Sequence, residues 1–213
     1  VAGDGITADI GLVFSGTAEA AVTLQVLING TPVGTTTANG AGNWSYDHSG
    51  TALAPGIYAV TAIALDNAGN ASAASAALTV TVDTVAPATP SVTAITTDSG
   101  AAGDGITSDN TLVFSGTADA NASVNVLVNA VLVGTATANG AGNWSFDYTG
   151  TALADGSYSI TATVSDVAGN TSALSAAFDV TVDTAIPAAP AISAISTDTG
   201  TSGDGITGDN TLL

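Results

Sequence analysis

The sequence is most unusual for what it lacks: its 213 residues contain no lysine, no arginine, no cysteine and no methionine, although 18 of them are aspartate or glutamate. Without cysteine, disulfides and cysteine nucleophiles are excluded. Without lysine or arginine, only His48 could form a side-chain ion pair with a carboxylate. The acidic side chains must therefore be solvated, capped by backbone N–H groups, or neutralised by a cation from outside.

The formal net charge of −18 disfavours two classes of partner, nucleic acid and anionic membrane surfaces. No apolar run approaches the ~18 residues that a membrane-spanning helix needs. We therefore expect neither nucleic-acid binding nor membrane insertion. Because the chain begins with Val1 and shows no signal peptide, we expect it to be a section of a longer protein.

One sequence unit recurs with a period of 100 residues. The segment Gly-Asp-Gly-Ile-Thr occupies residues 3–7, 103–107 and 203–207. About three in five positions match between the first two copies, without insertions, which indicates a structural array. Proline residues at 87, 90, 187 and 190 mark the boundaries. We predict three units: residues 1–87 without a first strand, residues 88–187 complete, and residues 188–213 with the first strand and the start of the second.

Alternation of apolar and polar residues predicts β-strands throughout. Phe178, Val180 and Val182, for example, alternate with polar residues. Seven short strands in about 100 residues are typical of an immunoglobulin-like sandwich, so we predict an all-β chain of tandem seven-stranded sandwiches. Tyr158 occupies the place of a tyrosine corner. The strands predicted for the complete unit are residues 91–97, 111–118, 122–129, 131–138, 143–148, 156–165 and 174–183.

The carboxylates fall in loops that such a sandwich would bring to the ends of each unit, where consecutive units meet. Asn side chains accompany them in these loops. The junction between the first two units would collect Asp4, Asp9, Asp83, Asp119, Asp166 and Asn170. The next junction would collect Asp98, Asp104, Asp109 and Asp183, a preceding unit would meet Glu19, Asp66 and Asn70, and the third copies are Asp198, Asp204 and Asp209.

Oxygen ligands from Asp, Asn and backbone carbonyls are the set that Ca²⁺ prefers, so Ca²⁺ is the expected cofactor of these junctions. A dication would remove the repulsion between neighbouring carboxylates and stiffen the joint. The spacing of Asp98, Asp104 and Asp109 is not that of an EF-hand. The alternative is that each Asp caps nearby backbone N–H groups, as Asp commonly does in turns.

Other residues give weaker signals. His48 aligns with Tyr148 in the next copy, which predicts a surface residue and not a ligand or catalyst. Trp44 and Trp144, and likewise Tyr58 and Tyr158, are expected to pack in or beside the core. A Ser/His/Asp triad is excluded because a single histidine cannot serve both copies. We expect no enzymatic activity.

Several motifs in combination resemble the bacterial immunoglobulin-like repeats of giant surface adhesins, the biofilm-associated and repeats-in-toxin adhesins of Gram-negative bacteria. They lie at residues 103–107, 155–162, 166–172 and 182–184. The resemblance implies an extender region on the bacterial cell surface, secreted by the type I route, with calcium at its domain junctions. It maps the acidic junction residues onto Asp83, Asp104, Asp109 and Asp166. The first unit has Ile10-Gly11 where the second has Asn110-Thr111, which implies weaker binding at its junction.

These inferences predict a calcium-stiffened spacer that holds a distal binding domain of an extracellular adhesin, or that forms a surface filament in adhesion and biofilm. Its partners would be neighbouring repeats of the same chain or of identical chains. Two alternatives stay open. One is a self-assembling fibre in which the first unit takes its first strand from another chain. The other is direct binding of glycan or ice by the Thr-rich strand faces.

Overall fold

The computed structural model describes residues 3–193, 200–201 and 203–208. The chain divides into two units, Val1–Asp183 and Thr184–Leu213, and the strands of the described residues all lie in the first. No helix occurs in the described part of the chain, which confirms the all-β prediction. The strands are β1 (Ile6–Thr7), β2 (Val13–Thr17), β3 (Thr23–Ile28), β4 (Thr31–Thr37), β5 (Asn43–Asp47), β6 (Gly56–Leu65), β7 (Leu78–Val82), β8 (Ser91–Thr96), β9 (Ile106–Thr107), β10 (Val113–Thr117), β11 (Ser123–Val128), β12 (Val131–Thr137), β13 (Asn143–Asp147), β14 (Gly156–Ser165) and β15 (Phe178–Val182).

Residues 84–183, here called the second sandwich, form two sheets around one core. One sheet has the strand order β12-β11-β14-β15-β9, and the other has the order β13-β10-β8. Alternate residues of the strands point inward, so Leu112, Phe114 and Ile160 are fully buried. Strand β8 runs antiparallel to β10 and contributes Ile95 to the core.

Residues 3–83, the first sandwich, repeat this arrangement with one strand fewer. Its sheets have the orders β1-β7-β6-β3-β4 and β2-β5. Within the described residues, the edge of β2 that corresponds to the β8 side of β10 carries no strand. Val13 on β2 is consequently 59% exposed, and Trp44 is only half-buried, whereas Trp144 is 2% exposed.

The sequence pattern did not predict the two shortest strands, β1 and β9. They pair in parallel with β7 and β15 respectively. Two residues are too few to show a periodicity. The preceding Gly5 and Gly105 have φ of 76° and 71°, and a Cβ on Gly105 would lie 2.5 Å from the Asp179 carbonyl oxygen. Glycine is therefore required for these segments to approach the sheet.

The segment before β15 was predicted as strand from residue 174, but β15 begins at Phe178. Serine residues connect this segment to β14 there, through both main-chain and side-chain atoms: the N–H groups of Ser172 and Ser175 donate to the carbonyl oxygens of Val164 and Ala162, both at 2.9 Å. Ser172 Oγ accepts a hydrogen bond from the N–H of Val164, and Ser175 Oγ accepts one from the N–H of Ala162, both at 2.9 Å. The hydroxyls thus satisfy β14 N–H groups that a regular strand would pair with backbone carbonyl oxygens.

The tyrosine corner is confirmed, whereas the prediction for His48 is wrong. Tyr158 donates its hydroxyl hydrogen to the Ala154 carbonyl oxygen at 2.9 Å. His48 is 7% exposed, and its ring centroid lies 6.2 Å from that of Phe14 and 6.0 Å from that of Tyr46. It fills a site among aromatic rings because it replaces the ring of Tyr148 in the repeat.

The predicted first strand of the third unit falls largely on residues 194–199, outside the described residues.

Candidate functional site

Two hydrogen bonds join the two sandwiches at the first junction, which is the contact between them. The Ala8 N–H, just after β1, donates to the Ala168 carbonyl oxygen at 3.0 Å. Asn170 Nδ2 donates to the Asp83 carbonyl oxygen at 2.9 Å. The structure thus brings together Asp83 and Asn170, which the sequence had assigned to one junction. Ala8 and Ala168 contribute main-chain atoms, and their small apolar side chains gave no signal in the sequence.

The loop Asp166–Asn170 supplies the junction atoms of the second sandwich, which are the Ala168 carbonyl oxygen and Asn170 Nδ2. Hydrogen bonds to the Asp166 carboxylate hold this loop in shape. Asp166 Oδ1 accepts hydrogen bonds from the N–H groups of Gly169 at 2.8 Å and Asn170 at 2.9 Å, and Oδ2 accepts one from Asn170 Nδ2 at 2.9 Å. Burial alone would raise the pKa of Asp166, but the hydrogen bonds from Asn170, Gly169 and Ala168 outweigh it and hold the pKa below its ordinary value. The carboxylate therefore stays ionised in its cap.

The first sandwich contains the same loop in an exposed setting. Asp66 Oδ1 accepts from the Asn70 N–H at 2.8 Å, and Asp66 Oδ2 accepts from Asn70 Nδ2 at 2.7 Å. The hydrogen bonds from Asn70 lower the pKa of Asp66 in the same way. Residues 66–70 are all exposed, so the loop forms without a neighbouring sandwich.

The other acidic residues assigned to the first junction are spread along its loops. Asp4 Oδ1 accepts from the Ile6 N–H at 3.0 Å, and Asp83 Oδ1 accepts from the Val85 N–H at 2.9 Å. Hydrogen bonding to the Ile6 N–H is the main reason that the pKa of Asp4 is lowered. Each is a local turn cap of the kind weighed as the alternative to metal binding. Two more residues assigned to this junction lie in loops: Asp9, whose N–H donates to Thr7 Oγ1 at 3.0 Å, and Asp119, whose carbonyl oxygen accepts from the Ala122 N–H at 3.1 Å. Glu19, which was assigned to the contact with a preceding unit, lies in the loop after β2, and its carbonyl oxygen accepts from the Val22 N–H at 3.4 Å.

Asp119 shares a cleft with Asp166 in the second sandwich. The cleft measures about 460 Å³, and Pro87 and Val167 supply apolar parts of its lining. The structure therefore brings these two carboxylates to one concave surface beside the first junction. A pair of carboxylates offers oxygen ligands to a hard cation, although a full Ca²⁺ shell takes six to eight oxygens.

The second acidic group lies in the loop after β8. Asp98 Oδ2 accepts from the Gly103 N–H at 2.5 Å, whereas Asp98 Oδ1 is buried and has no hydrogen-bond partner. Asp104 Oδ1 caps the Ile106 N–H at 2.9 Å. A buried carboxylate oxygen without a donor is costly, and it is the atom in this loop that calls for a cation or water.

Asp109 and Asp183 complete that group. Asp109 Oδ1 accepts from the N–H of Thr111 at 2.9 Å and from its hydroxyl at 2.8 Å, and these two bonds lower the pKa of Asp109. The Asp183 N–H donates to the Thr107 carbonyl oxygen at 2.9 Å. Of the third copies, Asp204 Oδ1 caps the Ile206 N–H at 2.9 Å, while Asp198 and Asp209 lie outside the described residues.

The donor chemistry of these loops fits Ca²⁺, because the available ligands are carboxylate, amide and backbone oxygens. The unpartnered Oδ1 of Asp98 fits it too. Over residues 3–193, 200–201 and 203–208, however, no three Asp, Glu or His side chains converge closely enough to form a metal site by themselves. Any cation here would need backbone oxygens and water as further ligands. No helix of the described residues is long and apolar enough to cross a membrane.

Comparison with known proteins identifies the sequence family. A family model described as a bacterial Ig-like domain matches the chain twice, over residues 1–84 and 86–184. The fibronectin(III)-like modules of Clostridium thermocellum CbhA are similar in fold, with a TM-score of 0.55 and 18% identity over 85% of this chain and 90% of theirs. None of the curated proteins matches the chain.

Two further solved structures match with lower TM-scores. A 1.5-MDa bacterial ice-binding adhesin is 31% identical over 82% of this chain, with a TM-score of 0.40. The BSP domain of a biofilm associated protein is 25% identical over 85% of this chain, with a TM-score of 0.35. The alignments cover 58% and 29% of those two chains respectively.

Proposed function

Because the chain belongs to the bacterial Ig-like domain family, we propose that it is a structural spacer of an extracellular bacterial adhesin, stiffened by Ca²⁺ at the junctions between its repeats. The observation that carries the spacer role is the first junction itself. Two consecutive repeats meet end to end through the Ala8–Ala168 and Asn170–Asp83 hydrogen bonds. A chain of such units can extend the reach of a distal domain by adding repeats.

The adhesin setting is supported by the sequence motifs at residues 103–107 and 166–172, which resemble adhesin repeats. An extracellular location also suits the composition. With no lysine or arginine, the chain has no bond that a trypsin-like protease would cut. The role is mechanical, since projecting another domain requires a fixed length and limited bending and no reacting groups.

The calcium proposal is supported by the acidic loops and, above all, by Asp98. Its buried Oδ1 lacks a hydrogen-bond donor, and a cation would satisfy it. Asp104 and Asp109 follow in the same loop and supply further oxygens. When bound, Ca²⁺ would cross-link carboxylates that otherwise repel each other. The residues proposed as ligands are Asp4, Asp9, Asp83, Asp119, Asp166 and Asn170 at the first junction, Asp98, Asp104, Asp109 and Asp183 at the next, Glu19, Asp66 and Asn70 at the leading end, and Asp198, Asp204 and Asp209 in the third copy.

Calcium titration by calorimetry, combined with small-angle scattering, tests this proposal. We expect Ca²⁺ binding, and a smaller spread of molecular dimensions with Ca²⁺ than with chelator. Asp98→Asn should weaken the tightest binding about ten-fold or more, because it removes one charged ligand of a hard cation. Asp147→Asn is the control, since Asp147 Oδ1 only caps the Thr149 N–H and hydroxyl. Absence of binding, or dimensions unchanged by chelator, would reject calcium stiffening.

We propose a self-assembling fibre as the second candidate, because no strand of the described residues pairs with the edge of β2 that is equivalent to the β8 side of β10. Clefts beside β2 are lined by Phe14, Gly16 and Trp44, at the place that corresponds to the β8 contact in the second sandwich. A strand from another chain could pair there by β-augmentation. Light scattering over a range of protein concentrations tests this idea: growing polymers would support it, and a strictly monomeric chain would dismiss it.

A further inference from the structure

The side-chain amide of Asn170 uses both of its hydrogens at the first junction. Nδ2 donates to the Asp83 carbonyl oxygen of the first sandwich at 2.9 Å, and to Asp166 Oδ2 of its own loop at 2.9 Å. An amide NH₂ group has two hydrogens to donate, so its donor capacity is filled. Asp83 and Asp166 were both assigned above to a cation site. In the structure, the amide of Asn170 joins the carbonyl oxygen of Asp83 to the carboxylate of Asp166 by hydrogen bonds.

Both sides of this contact are held by their own backbone. The Asp83 N–H donates to the Thr7 carbonyl oxygen at 2.9 Å, which fixes the end of β7 beside β1. The Asp166 N–H donates to the Asn170 carbonyl oxygen at 3.1 Å, which closes the loop. A hydrogen bond between two such ordered segments costs little conformational entropy.

Residues 66–70, the exposed copy of the loop at 166–170, show which hydrogen bond of Asn170 depends on the neighbouring sandwich. Asn70 Nδ2 donates to Asp66 Oδ2 at 2.7 Å, so the bond within the loop is present in both copies. The bond across the junction is made by Asn170, in the copy that meets another sandwich. Residues 66–70 are fully exposed, whereas Asp166, Ala168 and Asn170 are half-buried. The loop is therefore organised in advance, and docking uses the second amide hydrogen.

We propose that Asn170 is a positioning residue: with the Ala8–Ala168 bond, it latches the two sandwiches together without any metal. Two separated hydrogen bonds, one main chain to main chain and one from a side chain, restrict rotation about either bond alone. The latch sets the orientation of the junction, and Ca²⁺ would add stiffness to it. This inference rests on the proposed spacer role but is independent of the calcium proposal.

Spin-label distance measurements on the full chain test the latch. Because the sequence has no cysteine, Thr35→Cys and Thr135→Cys would place one label at an exposed, equivalent position on each sandwich. In chelator, the unaltered junction should give one narrow distance distribution. Asn170→Ala should increase the undocked population about five-fold, the change expected when one hydrogen bond of ordinary net strength is lost. Asn39→Ala, which removes an amide that only caps the N–H groups of Ala41 and Asn43 in a turn of the first sandwich, should leave the distribution unchanged.

A second variant and a calcium series complete the experiment. Ala8→Pro removes the other donor of the junction and should broaden the distribution in chelator as well. Tryptophan fluorescence of each variant verifies that both sandwiches are folded. If Asn170→Ala and Ala8→Pro both match the Asn39→Ala control in chelator, the latch is overturned, whatever calcium does. If calcium fails to narrow the distribution of any variant, calcium stiffening fails while the latch stands.

Discussion

The two sandwiches differ most around one equivalent pair of strands, β2 and β10. Strand β10 lies between β13 and β8, whereas β2 pairs with β5 alone within the described residues. Leu112 and Trp144 are buried beside β10, whereas Leu12 and Trp44 are half-buried beside β2. Residues of the same type thus differ in burial because of a neighbouring strand and not because of their own propensities.

This comparison shows which features of the repeat depend on that strand. The β2–β5 and β10–β13 registers are equivalent: Phe14 faces Tyr46, and Phe114 faces Phe146. Pairing within the sheet therefore forms in either setting. The strand β8 adds a buried Ile95 and a closed core. The described residues of the two sandwiches thus share the pairing of these strands and differ in the burial that β8 adds.

We expect the largest difference in stability between the two sandwiches when Gly116→Ala in the second is compared with Gly16→Ala in the first. A Cβ on Gly116 would overlap the Ser91 carbonyl oxygen of β8, which cannot move without breaking the strand pair. The three atoms nearest to a Cβ on Gly16 belong to the ring of Trp44, the closest at 2.8 Å, and the ring of Trp144 lies 2.7 Å from a Cβ on Gly116. We expect Gly116→Ala to destabilise the second sandwich by about 2–3 kcal/mol, in the range of other overpacked cores, and Gly16→Ala to cost about 1 kcal/mol or less in the first.

Each sandwich contains one tryptophan, so denaturant unfolding can be followed separately after Trp44→Phe or Trp144→Phe. The midpoint of each transition gives the change in free energy of unfolding for the sandwich concerned. Equal destabilisation by Gly116→Ala and Gly16→Ala would contradict the account of β8, because it would mean that the ring contact alone decides the cost.

A smaller difference between the two sandwiches is expected in how their stability depends on pH, because the carboxyl group of Asp109 has a lowered pKa. The N–H and hydroxyl of Thr111 hold the pKa of Asp109 below its ordinary value, and the first sandwich has Gly11 in place of Thr111. A carboxyl whose pKa is lowered by folding stabilises the protein above its unfolded pKa. That contribution is lost as the pH falls through the folded pKa, below about pH 4.

Thr111→Val keeps the N–H donor and removes the hydroxyl that bonds to Asp109. It should reduce the loss of stability of the second sandwich at low pH by about 0.5 kcal/mol or less, because solvent screens the contribution of this half-buried carboxylate. Unfolding curves recorded between pH 6 and pH 3 would measure it, with the first sandwich of the same molecule as internal reference. A larger loss of stability at pH 6 than at pH 3 is the expected sign, and the reverse order would contradict it.

Much of the fold could be predicted from the sequence because the repeat carries strong alternation. The strand predicted at 156–165 is observed as Gly156–Ser165, and the one predicted at 143–148 is observed as Asn143–Asp147. The missed strands β1 and β9 depend on a close backbone approach at Gly5 and Gly105, which no periodicity reports. His48 was misplaced because the alignment with Tyr148 was interpreted as a departure from the repeat and not as the substitution of one ring for another.

The site was predicted less completely, for a physical reason. Loop positions follow from strand order, so Asp83 and Asn170 were correctly assigned to one junction. The atoms that join there include the Ala8 N–H and the carbonyl oxygens of Ala168 and Asp83. Main-chain groups are present at every residue, so composition does not reveal which of them meet. The assignment of calcium to these loops remains a prediction.

The main-chain contact between Ala8 and Ala168 has a consequence for how such a protein can evolve. Its donor and acceptor belong to the peptide backbone, which is the same whatever side chains drift nearby. Side chains still decide whether the donor is available, since the N–H of Ser108, at the position equivalent to Ala8, donates to Ser99 Oγ at 2.8 Å. Units that keep this N–H available, as at Ala8, could be duplicated, deleted or recombined in the gene without a new side-chain interface at each joint.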